Sequence, residues 1–142
     1  LQGDGSRAGR MDLFLIKGDY KLGEKQTIET GTCGILDGKW MKRENGEFWF
    51  ASARSTGQVR IDSFSFHESE ENKVERAYTR HVATSKVLQD EPALCLSLSW
   101  DTTRCGEEQP RIVSSYSNGK VAIHDMVHTN DTVELVERQS WL

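Results

Sequence analysis

The sequence has no long apolar run, no excess of positive charge and no leader-like beginning, and each absence excludes a class of protein. No stretch approaches the roughly 18 to 20 apolar residues that a membrane-spanning helix needs. Lys and Arg total 18 against 22 Asp and Glu, a formal net charge of −4. Affinity for phosphate comes from clustered cations, so we expect binding to neither nucleic acid nor a membrane. Residues 1–10 are polar and Gly-rich without an apolar core, which predicts no signal peptide and a cytoplasmic location.

Cysteine is also scarce. Cys33, Cys95 and Cys105 are odd in number and lack the close pairing typical of metal ligands. We therefore expect idle or buried thiols in a reducing compartment, with no metal and no cofactor.

Helical periodicity and the best-known esterase motif are missing as well. Residues 70–80 contain many helix formers, but their apolar residues do not recur at intervals of three and four. No Gly-x-Ser-x-Gly nucleophile elbow occurs, and an all-β chain would not supply its strand-to-helix turn.

What the sequence does contain is an internal repeat. Residues 34–61 resemble residues 94–123: Trp40 corresponds to Trp100 at an offset of 60, and Gly57 corresponds to Gly119 at an offset of 62. Self-similarity at a fixed spacing indicates a repeat architecture. The period exceeds the ~40 to 45 residues usual for a WD-repeat blade, and the polar stretches 41–47, 67–72 and 101–109 accommodate the excess.

Each unit reads as four antiparallel strands. Apolar residues alternate with polar ones around residues 59–61 and 121–123, the pattern of half-buried strands. Asn118-Gly119 predicts a two-residue hairpin turn. The predicted fold is all-β, a partial WD-repeat β-propeller of about two and a half blades. Its divisions are a polar segment (1–10), the end of one blade (11–31), a second blade (33–83) and a third (93–138). A free-standing sandwich or barrel is the alternative.

Several segments carry a family resemblance. They are residues 35–40 (Ile-Leu-Asp-Gly-Lys-Trp), 94–100 (Leu-Cys-Leu-Ser-Leu-Ser-Trp) and 110–119 (Pro-Arg-Ile-Val-Ser-Ser-Tyr-Ser-Asn-Gly), with further similarity at 11–16 and 137–141. In this order they resemble the WD-repeat diphthine methyl esterases of diphthamide biosynthesis, called diphthine methyltransferases in older usage. The resemblance implies the N-terminal part of a longer propeller. The sequence departs from the WD pattern because Ile61-Asp62 and Ile123-His124 stand where a Trp-Asp dipeptide would close each repeat.

The resemblance implies an enzyme that hydrolyses the carboxyl methyl ester of diphthine on translation elongation factor 2, its protein partner. A non-catalytic WD-repeat scaffold that binds other proteins is the alternative, since many propellers have that role. Because an incomplete propeller leaves apolar faces uncovered, we expect this chain alone to be inactive and to associate or aggregate.

Asp37 is the weak candidate for a catalytic residue, because an inner-strand carboxylate can point towards a propeller's central channel. The other interpretation pairs it with the backbone or with Lys39. Arg54 and Tyr116 occupy matching places before the hairpin turns and are candidate partner contacts, the alternative being ordinary surface residues. Trp40 and Trp100 are expected in the core.

The positions of the four histidines do not point to a catalytic or metal-binding site. His124 and His128 are expected at a strand end and in the loop beyond it, which makes a zinc pair improbable. His67 is expected in a solvated acidic loop and His81 at the surface.

Overall fold

Ten β-strands make up the regular structure of the computed structural model, which describes residues 9–16, 22–29, 33–68, 74–86, 92–101, 110–130 and 132–142. The strands are β1 (Arg10–Ile16), β2 (Leu22–Glu29), β3 (Ile35–Lys42), β4 (Phe48–Arg54), β5 (Val59–Glu68), β6 (Val74–Thr84), β7 (Cys95–Asp101), β8 (Arg111–Tyr116), β9 (Val121–Thr129) and β10 (Thr132–Trp141). No helix occurs in these ranges, and hence none there is long and apolar enough to span a membrane.

The ten strands form three sheets in chain order. The first sheet contains β1 and β2, the second has the order β3-β4-β5-β6, and the third has the order β7-β8-β9-β10. Every pairing between these strands is antiparallel. The two four-stranded sheets coincide with the repeats predicted over 33–83 and 93–138, although β10 continues to Trp141.

Alternating burial explains why these segments form strands. Along β8 the buried residues Ile112, Ser114 and Tyr116 alternate with residues that are less buried. Successive side chains of a strand point to opposite faces of the sheet, so this alternation places one face of β8 in the interior.

The hairpins between second and third strands differ from the prediction in loop length. The Arg54 N–H donates to the Gln58 carbonyl at 2.9 Å, and the Gly57 N–H donates to the Arg54 carbonyl at 3.0 Å. The third sheet repeats this arrangement around Gly119. Each loop thus holds three residues and closes with a glycine at positive φ, 79° at Gly57 and 87° at Gly119. Only one residue per loop needs positive φ, unlike in the predicted two-residue turn.

The main core lies between the second and third sheets, which meet chiefly through β3, β4 and β7. The Trp100 indole N–H donates to the Lys39 carbonyl at 3.1 Å across this junction. A single parallel bridge joins Ser85 to Leu135 farther out. The buried apolar residues from the second sheet are Trp49, Ala51, Ala53, Val59, Ile61, Val82 and Ala83, and those from the third are Cys95, Leu98, Trp100, Ile112, Tyr116, Ala122, Met126 and Leu135.

The first sheet contacts the second sheet at the outermost strand of the latter. The Gln26 side-chain amide donates to the Ala77 carbonyl at 2.8 Å and accepts from the Ala77 N–H at 3.1 Å. Three successive antiparallel sheets, two of them four-stranded, are compatible with a partial β-propeller.

Candidate functional site

The Asp37 carboxylate lies where the second sheet meets the third sheet, and four donors surround it. Oδ1 accepts hydrogen bonds from the Gly38 N–H at 2.8 Å and from Lys39 Nζ at 2.9 Å. Oδ2 accepts from the Ser97 hydroxyl at 2.8 Å and from the Leu98 N–H at 3.1 Å. Asp37 therefore connects β3 to β7. It also makes the contacts with the neighbouring backbone and with Lys39 that a structural role predicts.

These donors govern the ionisation of Asp37. Burial by itself raises the pKa of the carboxyl, but the bonds from Leu98, Lys39, Ser97 and Gly38 outweigh it and hold the pKa well below the usual 3.8. A carboxylate with so low a pKa is anionic at neutral pH and is a weak proton acceptor. The geometry fits an acceptor that joins two sheets, and a catalytic role for Asp37 stays a prediction.

A second polar cluster is buried inside the third sheet. The Ser114 Oγ lies 2.8 Å from His124 Nε2, and the Tyr116 Oη lies 3.1 Å from both atoms. Burial lowers the pKa of His124 and raises that of Tyr116 to about 12, so both groups are neutral at physiological pH.

The Ser114–His124 distance is one that a nucleophile and its general base would have. Ser114 and His124 are however only 1% and 2% exposed, and His124 Nδ1 has no hydrogen-bond partner in the part of the chain that the structure describes. A base also needs its other nitrogen oriented by a third group. This cluster therefore satisfies polar groups inside the sheet, and a substrate has no access to it.

The equivalent cluster of the second sheet is built around Arg54. Its Nη1 donates to Cys33 Sγ at 3.1 Å, whereas the buried Nε and Nη2 have no hydrogen-bond partner among the described residues. The nearby Asp62 is already engaged, because Arg60 Nε and Nη2 both bond it at 2.7–2.9 Å. Unpaired buried donors are costly, so Arg54 is a point of low stability in this sheet.

The expectation that Arg54 and Tyr116 lie at the surface needs correction. They are 6% and 5% exposed. Tyr116 points to the core between the second and third sheets, whereas Arg54 is buried on the face of β4 that also carries Phe50. Their matching positions in the repeat are confirmed by the two hairpins, which place each residue at the end of its second strand.

The expectation for the two tryptophans holds for one of them. Trp100 is 8% exposed, but Trp40 is 45% exposed. Trp40 lies on the face of the second sheet that is turned away from the third sheet, within a cluster that we call the aromatic face. Ring contacts at 4.8 to 6.5 Å connect Trp40, Phe50 and Phe64. A separate contact at 5.4 Å joins the other two members, Phe48 and Phe66.

The histidines do not form a metal site in the described part of the chain. His124 and His128 both lie within β9, and not at its end and beyond it. Four residues along a strand separate them by about 13 Å, too far to share an ion. In the ranges that the structure describes, no group of three His, Cys, Asp or Glu side chains could hold a metal. His81 is exposed, with Nε2 2.8 Å from Thr84 Oγ1.

Two of the three cysteines are free and buried, as expected for idle thiols. Burial raises the pKa of Cys95 to about 11. Cys105 lies outside the described residues. Outside them too lie 1–8, 69–73 and 102–109, which make up most of the N-terminal segment and of the polar stretches 67–72 and 101–109.

The buried Ser114–Tyr116–His124 cluster is the feature that sequence reasoning missed. A signal for it existed, because Ser114 and Tyr116 are two residues apart on one strand and therefore share a face. The pairing of Ile112 with His124 brings β9 alongside, and only the structure supplies that register.

Comparison with models of known families and with curated proteins found no match for this chain.

Proposed function

We propose that this chain is the propeller portion of a hydrolase that removes the carboxyl methyl ester of diphthine on translation elongation factor 2. The ordered resemblance to the diphthine methyl esterases, spread over five segments of the chain, carries this proposal. No single one of those segments is specific enough by itself, because many propellers share the sequence pattern of one blade.

The resembling segments follow the strands of the repeat. Residues 11–16 lie in β1, 35–40 in β3, and 137–141 at the end of β10. Residues 94–100 cover most of β7, and 110–119 cover β8 with its hairpin turn. In the proposed protein the second and third sheets are two successive blades, and the first sheet is the outer pair of strands of the preceding blade.

The reaction adds water to the ester carbonyl and releases methanol and the free carboxylate. It needs an activated water or a nucleophile, a base that takes its proton, and donors for the developing oxyanion. The sealed Ser114–His124 pair does not meet the first requirement. Asp37 is the weak candidate for a catalytic residue, and its low pKa favours an electrostatic role over that of the base.

Deleting the gene tests the proposal. Elongation factor 2 from the deleted cells should carry diphthine that still bears the methyl ester, as read by mass spectrometry of the modified peptide, and the full-length gene should restore diphthamide. Complete diphthamide in the deleted cells would exclude the esterase.

An Asp37→Asn variant of the full-length protein separates two roles in the same cells. A catalytic Asp37 predicts normal protein level without restored diphthamide. A structural Asp37 predicts a lower protein level with activity per molecule retained.

A non-catalytic scaffold is the second candidate function, and the exposed Trp40 side chain favours it, because tryptophan is enriched at protein interfaces. The deletion experiment distinguishes the two, because a scaffold outside diphthamide synthesis leaves the modification complete.

A further inference from the structure

Of the histidines whose side chains the structure describes, His124 is the buried one. It lies on β9 opposite Ile112 of β8 and shares a face of the third sheet with Met126, the face that packs on the second sheet. The second sheet has Asp62 in the corresponding place, since Asp62 pairs with Phe50 as His124 pairs with Ile112. A buried imidazole at this junction is therefore specific to the third sheet among the described side chains.

The hydrogen bonds around His124 favour one neutral form of its ring. The Ser114 hydroxyl donates to Tyr116 Oη at 3.1 Å. The Tyr116 hydroxyl then has His124 Nε2 as its acceptor, also at 3.1 Å. An accepting Nε2 places the ring proton of neutral histidine on Nδ1. In this form both hydroxyl protons are bonded, and Nδ1–H is the one donor of the cluster without a partner among the described residues.

Protonation of Nε2 disrupts this arrangement. Neither hydroxyl can donate to a protonated Nε2, so both depend on the contact between Ser114 Oγ and Tyr116 Oη, which holds a single proton. One hydroxyl proton then lacks an acceptor in addition to Nδ1–H. An unpaired buried donor and a buried charge are both costly. The imidazolium is thus the least favourable form of His124 in the folded protein, in agreement with its lowered pKa.

The charges and titratable groups of the third sheet do not offset this cost. Glu137 of β10 pairs with His124 in the strand register, and its charge favours the imidazolium. Lys120 Nζ however bonds both Glu137 carboxylate oxygens, at 2.7 and 2.9 Å. On β7 and β8, Cys95 and Tyr116 are neutral because burial raises the pKa of each.

The second sheet adds no compensating charge to the junction. On β3, Asp37 and Lys39 form an ion pair with each other. On β6, Arg80 shares the face of Ser63 but is exposed. The core residues of β4 and β5 that pack here do not titrate and include Ala51, Ala53, Val59 and Ile61.

We propose that His124 makes the third sheet acid-sensitive, so that uptake of one proton opens β8 and β9 and frees this sheet from the second sheet. In the opened state the histidine is exposed to water and binds a proton near its ordinary pKa of 6.5. The folded junction excludes that proton. The opening equilibrium constant is therefore constant above this pH and rises about tenfold for each pH unit below it.

Amide hydrogen exchange of the whole 142-residue chain, read on peptides by mass spectrometry, measures this opening for each sheet separately. Peptides from 111–129 report on β8 and β9, and peptides from 48–66 report on β4 and β5. From about pH 7 to about pH 5.5 the opening constant of 111–129 should rise about tenfold, after correction for the chemical exchange rate of an unfolded chain. The opening constant of 48–66 should change little, because these strands carry no buried histidine.

Histidine variants assign the rise to one residue. His124→Gln keeps a polar side chain but takes up no proton, so the rise should be lost. His128→Gln is the matched control, because His128 is exposed on the same strand, and the rise should persist. The parent chain and both variants carry His81→Gln, since burial also lowers the pKa of His81. His124→Met, which does not titrate either, takes the place of His124→Gln if that chain is not folded.

The acid-sensitive opening would be overturned by an opening constant of 111–129 that is the same at both pH values. A rise that persists when His124 is replaced, or that disappears in His128→Gln, would overturn it as well. An equal rise in 111–129 and 48–66 would show that acid unfolds the chain as a whole, without a separate opening of the third sheet.

Discussion

Replacing Gly38 by alanine tests how the second sheet accommodates a phenylalanine where the third sheet has an isoleucine. A Cβ at Gly38 would lie 2.7 Å from Phe50 Cε2 and would also collide with Phe50 Cζ. The third sheet carries Leu98 and Ile112 at the two equivalent positions. The second sheet thus fills this space with one large ring beside a glycine, and the third sheet fills it with two aliphatic side chains.

The expected cost of Gly38→Ala is about 2 kcal/mol, since overpacking a filled site costs about 1–3 kcal/mol. The Phe50 ring cannot move away freely, because the Trp40 ring lies 4.8 Å from it. Phe50→Ile alone should lose about 1 kcal/mol of aromatic packing. The double variant Gly38→Leu with Phe50→Ile copies the third sheet, and we expect it to be more stable than the sum of its single variants by about 2 kcal/mol.

Urea unfolding followed by tryptophan fluorescence measures these differences. The four tryptophans give enough signal at submicromolar concentration, at which association between copies contributes little. Gly34→Ala is the matched control, because the nearest atom to its added Cβ is Ser55 Oγ at 3.6 Å, an ordinary contact. A Gly38→Ala chain as stable as the wild type would refute the reasoning, and so would double-variant energies that add within about 0.5 kcal/mol.

Further predictions concern the two polar clusters. The pKa of Asp37 is held below its usual 3.8, so the stability that the carboxylate contributes is present above that pH and is lost as the pH falls below it. The urea midpoint of the wild type should therefore fall more steeply below about pH 4 than the midpoint of Asp37→Asn. Parallel pH profiles of the two proteins would contradict this. Arg54→Met should be neutral or stabilising by about 1 kcal/mol, since it removes buried donors that find no partner in the described ranges. Tyr116→Phe should destabilise the protein by about 1–3 kcal/mol, because Ser114 and His124 each lose a hydrogen bond. If Tyr116→Phe were more stable to urea than Arg54→Met, the roles assigned to the two clusters would be wrong.

The sequence by itself determined the two four-stranded units. Trp40 and Trp100 at an offset of 60, with alternation of apolar and polar residues around them, were sufficient because the period of two is a local property of a strand. Gly57 and Gly119 identified the hairpins for the same reason, since positive φ restricts the residue type locally. The number of residues in each loop depended on which backbone groups pair, and that was decided by the register of the flanking strands.

Only the tertiary structure decided which face of each strand is covered. Alternation distinguishes two faces but does not say what packs on either, so equivalent residues such as Trp40 and Trp100 have different surroundings. Asp37 acquires two of its four donors from a strand about 60 residues away in the chain, and Arg54 donates to Cys33, 21 residues earlier. Burial and hydrogen bonding at these positions depend on neighbouring sheets, and a local pattern contains no information about the neighbour.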